Sequence, residues 1–378
     1  MKKEDFIYLD YNASTPHDPE VVEAMMPYLL ERYGNPSSAH SLGRIAKIAV
    51  DTARKQVADL LHATAEEIVF TSGGTEANNY AIIGAAHFYR SQGNHIITSS
   101  IEHPAVLEVC KSLEKTGFEV TYLPVDTKGI IDIHMLEKAI KPTTILISIM
   151  HANNETGAIQ PIRQIGEIAQ RNHVVFHTDA AQSLGKIPVD VEKMHIDLLS
   201  VAGHKMYAPK GVGALYVRKG IHLKKIMFGA GHEFGIRPGT ENVPYIVGLG
   251  KASELAMKQL EYNQQYLSDI KSHLKTALLK EQLNFVVNGT AINTLPNTLN
   301  ISFRNVDARK LLERCKEVIG LSVGSACHSG KTIDSEILKA VLPDMSYAKG
   351  TFRFSVGKYT TKEEVERAAK ILAAEIHA

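Results

Sequence analysis

Short apolar runs alternate with longer, polar-striped segments along the first part of the chain. The apolar runs have the length of strands, and most are separated by segments whose apolar residues recur at the helical period of about 3.6. Seven runs follow this pattern, at positions 68–70, 95–98, 120–123, 144–149, 174–176, 197–200 and 214–217. Buried strands separated by helices are typical of a parallel sheet that is covered on both faces. The pattern therefore predicts an α/β fold with a seven-stranded, mainly parallel sheet in a large domain.

The residues that precede this sheet carry a different pattern. Residues 6–16 begin as a short strand and break into a polar turn at Asn12, and Asp18-Pro19 then starts a helix. The run from about 41 to 61 has helical periodicity with charges on one face. We expect the arginines of that helix to be solvated.

The C-terminal part predicts a smaller α+β domain. A long, polar-striped helix over residues 245–279 leads out of the first region. Strand-like segments follow at 300–303 and 351–355, and a final helix starts from Thr361. We assign the large domain to residues 14–258 and the small domain to residues 1–13 and 259–378.

Polar residues follow five of the predicted strands. They occupy positions 71–79, 99–103, 151–157, 179–182 and 204–205. Ligands of open α/β sheets bind beyond the carboxyl ends of the strands, so these segments predict one shared site. Gly73 and Gly74 let backbone amides approach an anion at a helix N-terminus, although the spacing lacks the lysine of a nucleotide P-loop.

Lys205 has an unusual position, directly after an apolar run that ends in Gly-His. Burial there would lower the pKa of its amine and make it nucleophilic, whereas the alternative is an ordinary surface lysine at a turn. Asp179 ends another apolar run. An imine-forming lysine and an acidic partner for a pyridinium nitrogen are the combination that pyridoxal phosphate (PLP) enzymes use.

Composition narrows the class of ligand and the compartment. The 378 residues include 42 Lys plus Arg and 41 Asp plus Glu, a formal net charge of +1, which favours neither nucleic acid nor a membrane surface as partner. The sequence shows neither an apolar signal segment nor a stretch long enough to span a membrane, so we expect a cytoplasmic protein. Three cysteines without CxxC spacing, and histidines without metal-binding spacing, predict neither disulfides nor a metal site.

An ordered set of motifs resembles the cysteine desulfurases and the related selenocysteine lyases, fold-type I PLP enzymes of the class V aminotransferase group. The resemblance runs essentially from end to end. Its motifs are DYNA at 10–13, GNPSS at 34–38, TSGGTE at 71–76, EH at 102–103, NNETG at 153–157, HTDAAQ at 177–182, GHK at 203–205, RPGTEN at 237–242 and GSAC at 324–327.

The resemblance implies a role for each matching residue. Lys205 would bind PLP covalently, Asp179 would contact the pyridine nitrogen, and His103 would stack on the ring. The implied cofactor-binding residues are Gly74, Thr75, His103, Asn154, Asp179, Gln182, His204, Lys205 and Thr240, the last supplied by the neighbouring subunit of a homodimer. Substrate binding is implied for Asn12, Asn154 and Arg353, and catalysis for Lys205, His103 and Cys327.

Three functions stay open at this stage. A cysteine desulfurase would move sulfur from L-cysteine to Cys327 and pass it to an acceptor protein such as an iron-sulfur scaffold. A selenocysteine lyase is favoured by His328, by the RPGTEN loop and by Ala202, which replaces the hydroxyl residue of many desulfurases. A non-catalytic scaffold of a sulfur-transfer complex is the third, but it would be expected to lose Lys205, Asp179 or Cys327.

Overall fold

The seven predicted runs form one sheet whose strands are mostly parallel. The computed structural model describes residues 6–289, 292–323 and 335–377. Its strands are β1 (Ile7–Tyr8), β2 (Ile68–Thr71), β3 (His95–Ser99), β4 (Glu119–Leu123), β5 (Thr144–Ser148), β6 (Val175–Asp179), β7 (Leu198–Ala202), β8 (Gly213–Val217), β9 (Phe285–Val287), β10 (Thr298–Phe303), β11 (Ile319–Gly320), β12 (Ser322–Val323) and β13 (Thr351–Ser355). The large sheet has the order β2-β8-β7-β6-β5-β3-β4, in which only β8 runs antiparallel to its neighbours. The predicted fold class is confirmed.

Helices cover both faces of this sheet. The helices are α1 (Pro19–Leu30), α2 (Ser41–Leu61), α3 (Gly74–Phe88), α4 (Pro104–Glu114), α5 (Ile133–Ala139), α6 (Ile162–Arg171), α7 (Val243–Lys258), α8 (Leu260–Lys280), α9 (Ala308–Cys315), α10 (Glu336–Val341) and α11 (Lys362–His377). Phe70 and Leu199 pack with residues of α2, α6 and α7, whereas Val69 and Leu198 pack with residues of α3 and α4 on the other face. Successive residues of the inner strands β5, β6 and β7 are therefore all buried, which explains continuous apolar runs instead of alternation, whereas the edge strand β4 is only partly buried.

A second, four-stranded sheet organises the rest of the chain, in the order β12-β13-β10-β9. Phe352, Phe354 and Leu372 lie in the apolar cluster that this sheet shares with α8, α9 and α11. Ile7 and Leu9 belong to the same cluster, since β1 pairs in parallel with β11. The N-terminal strand thus packs with the C-terminal part of the chain, while the exact domain boundaries stay a prediction.

Two expectations from the sequence are wrong. The helix predicted over 245–279 is two helices, α7 and α8, separated at Gln259, whose backbone is not helical (φ −106°, ψ 7°). The break lets α7 pack on α1 and α2 while α8 packs on α11. Arg54 of α2, expected in solvent, is buried and bonded to Glu233. Within the described ranges, no helix combines the length and the apolar character that crossing a bilayer requires.

Candidate active site

The polar segments predicted from the sequence meet at one edge of the large sheet. β2, β3, β5, β6 and β7 run in the same direction, so their carboxyl ends lie together. Each of these strands is followed by one of the polar segments. Side chains far apart in sequence are thereby brought into a single cleft.

Lys205 lies in this cleft, in the single 3-10 turn Gly203–Lys205 that follows β7. Its Nζ donates hydrogen bonds to the carbonyl oxygens of Asn12, at 2.5 Å, and Ala13, at 2.8 Å. The turn after the N-terminal strand therefore fixes the position of the lysine amine. The surface-lysine alternative does not describe this residue, since its side chain points inward.

The surroundings of the cleft lower the pKa of the Lys205 amine. Burial lowers the pKa of Lys205 to about 8, and the positive charge of Arg353 contributes to the decrease. The carboxylates of Asp10 and Asp179 act in the opposite direction. A lysine with this pKa has far more unprotonated, nucleophilic amine near neutral pH than a solvated lysine does.

Asp179 ends β6 and is buried beside α3. Its Oδ2 accepts from the side-chain amide of Asn78 at 2.7 Å, and its Oδ1 accepts from the Ala181 N–H at 2.9 Å. Asn78 did not emerge from the sequence reasoning. Its position one helical turn after Gly74 is the signal that could have placed it on the face of α3 that meets the site.

Arg353 reaches the cleft from β13 of the small sheet. Its Nη2 donates to Asp10 Oδ1 at 2.7 Å and to Ser322 Oγ at 2.8 Å, and its Nη1 donates to the carbonyl oxygen of Asn154 at 3.1 Å. The same carbonyl accepts from the side chain of Asn12 at 3.3 Å. Three residues predicted to bind substrate are therefore neighbours, although they come from three distant parts of the chain.

The loop between β2 and α3 has the geometry of an anion site. Gly73 has φ of 152°, a conformation that favours glycine, and it is the N-cap of α3 without a side chain that caps the first-turn N–H groups. Gly213 lies directly below, where a Cβ would come within 2.7 Å of the Gly73 backbone. Ala202 faces Gly74, with 3.2 Å between its Cβ and a Cβ built on that glycine. The small residues around Gly73 and Gly74 keep the backbone close to the sheet.

His103 and His204 follow the carboxyl ends of β3 and β7 at the same edge of the sheet. His103 is the N-cap of α4 and accepts the Ala105 N–H at its Nδ1, at 3.1 Å. His204 lies 3.3 Å from Ser14 Oγ, and burial together with the charge of Lys205 lowers the pKa of its imidazole to about 4, so the ring is neutral. Cys327 lies outside the described residues.

Thr75 and Thr240 are exposed, and the loop that carries Thr240 is attached to α3. The attachment is an ion pair from Arg237 Nε to Glu76 Oε1 at 2.8 Å. Glu76 also accepts the Ser72 N–H at 2.7 Å. The RPGTEN segment is therefore held next to the candidate anion loop of the same chain.

The structure also shows a buried acid that the sequence reasoning did not select. Glu102 Oε1 accepts from Ser99 Oγ at 2.5 Å and from the Met150 N–H at 2.9 Å, which joins the ends of β3 and β5. Burial raises the pKa of Glu102 to about 8. By contrast, His177 contacts Ser148 at 2.8 Å and Ser200 at 3.0 Å inside the sheet, and these contacts indicate a structural role.

Comparison with known proteins places this site in a family. Residues 7–368 match the family Aminotransferase class-V. The chain belongs to this family. It is 46% identical to the cysteine desulfurase IscS of Dictyoglomus turgidum over 98% of this chain and 94% of that protein, and 47% identical to the Homo sapiens cysteine desulfurase over 95% and 79%. The family resemblance inferred from the motifs is confirmed.

Solved structures share the fold. A NifS-like protein superposes with a TM-score of 0.92 at 37% identity, covering 98% of this chain and 99% of that one. A structure described as SspA in complex with cysteine has a TM-score of 0.82 at 39% identity and covers 94% of this chain and 100% of the other. Both similarities extend over the large and the small sheet.

Proposed function

We propose that the protein is a PLP-dependent cysteine desulfurase, which converts L-cysteine to L-alanine and leaves the sulfur as a persulfide on Cys327. The observation that carries the proposal is the cleft itself, where the Lys205 amine with its lowered pKa, the buried Asp179 and the Arg353 guanidinium converge. Relatives named cysteine desulfurase at 46% and 47% identity support the same reaction.

The residues of the cleft fit PLP. Lys205 supplies the amine for the covalent link, and Asp179, held by Asn78, supplies a buried carboxylate for the pyridine nitrogen. The N-terminus of α3, with Gly74 and Thr75, supplies donors for the phosphate, and His204, Gln182, Asn154, His103 and a partner-derived Thr240 complete the proposed set. When bound, PLP acts as an electron sink for the carbanion that forms at the substrate Cα.

Arg353 and Lys205 would handle the substrate. The guanidinium of Arg353 is a planar fork suited to a carboxylate, and its Nε is buried without a hydrogen-bond partner in the described part of the chain. Asn12 and Asn154 lie beside it. Lys205, with a pKa of about 8, would take the proton from Cα and return it, since a base is most effective near its own pKa.

Sulfur transfer is assigned to Cys327. Its thiolate attacks the sulfur of the substrate, so that an S–S bond forms while the C–S bond breaks. The electron pair of the broken bond stays on the substrate Cβ, which takes up one proton, balanced by the proton that the substrate thiol loses, and becomes the methyl group of alanine. The enzyme keeps the sulfur as a persulfide, which it would pass to an acceptor protein such as an iron-sulfur scaffold.

Turnover of L-cysteine and L-selenocysteine, compared side by side, tests this proposal. We expect the PLP-loaded wild type to form alanine from cysteine, and Cys327→Ala to bind PLP but form none. Cys315→Ala, with a buried thiol in α9, is the matched control and should stay active.

The two alternatives give different results in the same assay. Activity of the wild type on selenocysteine alone, retained in Cys327→Ala, would establish the selenocysteine lyase, because a selenolate leaves more easily than a thiolate. PLP binding without either activity would establish the non-catalytic scaffold. Full cysteine turnover by Cys327→Ala would overturn the persulfide mechanism.

The proposal includes a cytoplasmic homodimer. What supports it are exposed apolar side chains that a second copy of the chain could cover: Leu30 on α1, Ile48 on α2, and Phe228, which is 86% exposed on the loop leading to Thr240. We expect sedimentation to show a dimer and Phe228→Ser with Ile48→Glu to weaken it. An active monomer would contradict this part.

A further inference from the structure

A second buried lysine, Lys186, lies four residues after Gln182, in the turns that follow β6. The Nζ of Lys186 donates to Gln182 Oε1 at 3.0 Å and to Asn12 Oδ1 at 3.3 Å. The residue is 7% exposed. Among the described residues no carboxylate forms an ion pair with it, so its contacts are amide oxygens. Burying a lysine amine without a paired charge costs free energy of folding. We therefore infer that Lys186 has a role in the candidate active site.

The protonation of Lys186 is coupled to that of the cleft. Burial lowers the pKa of Lys186 to about 7, and the positive charges of Lys205 and Arg353 lower it as well. Burial thus shifts the pKa values of both Lys186 and Lys205 from the ordinary lysine value toward neutrality. The N–H groups of Lys186 remain donors in either form, so its two hydrogen bonds do not depend on the charge.

These contacts determine which way the Gln182 carboxamide faces. With Oε1 toward Lys186, the Nε2 group donates to the carbonyl oxygen of Asn12 at 3.1 Å. The flipped carboxamide would set acceptor against acceptor at the Asn12 carbonyl oxygen, and donor against donor at a protonated Lys186. The Asn12 carbonyl also accepts from Lys205 at 2.5 Å. The Gln182 N–H groups are thus directed to the place where the catalytic amine lies.

We propose that Lys186 is a positioning residue that acts through Gln182, holding its carboxamide with the N–H groups directed toward the part of the cleft where Lys205 would hold PLP. This inference rests on the proposed function, because it needs PLP in the cleft. It adds to that function a residue whose own side chain reaches the cofactor only through the Gln182 amide.

A double-mutant cycle with PLP binding as the readout tests the proposal. The proteins are wild type, Lys186→Met, Gln182→Ala and the double variant, and the measurements are the PLP dissociation constant and the pH midpoint of the absorbance of the bound cofactor. Loss of one hydrogen bond of about 1 kcal/mol predicts a five- to tenfold weaker PLP affinity for Lys186→Met. If Lys186 acts through Gln182, the double variant is no worse than Gln182→Ala in either measurement.

Two further variants separate positioning from general stability. Lys271→Met is the matched control, because Lys271 is another lysine whose pKa is lowered by burial, and its Nζ donates to the Leu295 carbonyl oxygen at 2.7 Å. We expect it to leave the PLP affinity unchanged. Lys186→Gln keeps a donor with less change in the core, and it should recover most of the affinity.

The outcomes distinguish failure of the proposed function from failure of the positioning role of Lys186. Wild-type protein that binds no PLP contradicts the proposed function itself. Wild-type binding together with additive effects in the double variant, or with an unchanged Lys186→Met, overturns the positioning role while the proposed function stands. If Lys186→Met does not fold, the same comparison is made with Lys186→Gln, whose affinity must then exceed that of Gln182→Ala.

Discussion

The buried ion pair between Arg54 and Glu233 joins α2 to the loop that leads to the RPGTEN segment. The two terminal guanidinium nitrogens, Nη1 and Nη2, each donate to the carboxylate at 2.7 Å, and Nη1 also donates to the Ile68 carbonyl oxygen at 2.6 Å. The Phe70 N–H donates to the carboxylate at 2.8 Å. Only 8% and 3% of the two side chains are exposed, so solvent cannot replace either partner. We predict that Arg54→Met strongly destabilises the protein.

The size of the effect follows from what the substitution leaves behind. Arg54→Met removes three hydrogen bonds and leaves the Glu233 carboxylate buried with the Phe70 N–H as its donor. Removing one partner of a buried pair costs about 3–5 kcal/mol. Replacing both partners by Met leaves no buried charge, so the double variant should be closer to wild type than Arg54→Met.

Urea unfolding of the apoprotein at one protein concentration measures these free energies. The control is Lys55→Met on the same helix, where the pair with Asp59 at 2.7 Å has side chains that are 70% and 41% exposed. Exposed pairs contribute about 0–1 kcal/mol, so the control should unfold almost like the wild type. A loss below about 1 kcal/mol for Arg54→Met, or losses of the two single variants that add in the double variant, would refute the reasoning.

Two further predictions concern buried acids and thiols. Because burial raises the pKa of Glu102 to about 8, the folded protein holds a proton between about pH 5 and 8 that the unfolded chain releases. The free energy of unfolding of the wild type, relative to that of Glu102→Gln, should therefore fall over this range by up to ~1.4 kcal/mol per pH unit. Urea unfolding of both proteins at pH 5 and pH 8 measures this difference, and an unchanged difference would contradict the prediction. Burial raises the pKa of Cys110 to about 12 and also raises that of Cys315, so a thiol reagent should label the Cys327→Ser protein far more slowly when folded than in urea, and fast labelling of the folded protein would exclude burial of these thiols.

The sequence determined the strands of the large sheet and the segments that follow them. A strand covered on both faces is buried along its length and is therefore mostly apolar, as the consecutive residues Ile68, Val69 and Phe70 show. Polar residues at the carboxyl ends, among them Asp179 and Lys205, stand out against such runs. For this reason the fold class, and candidates for the site, could be predicted.

Only the tertiary structure decided which side chains meet. Arg54 reads as one more charge on an amphipathic helix, and its burial depends on Glu233, 179 residues further along the chain. Asn78 and Lys186 likewise gain their roles from Asp179 and Gln182, through distances of 2.7 and 3.0 Å. Hydrophobic periodicity predicts which face of each helix or strand is buried in the core. A hydrogen bond between distant residues depends instead on the exact positions of two atoms, which are set by how separate elements pack together.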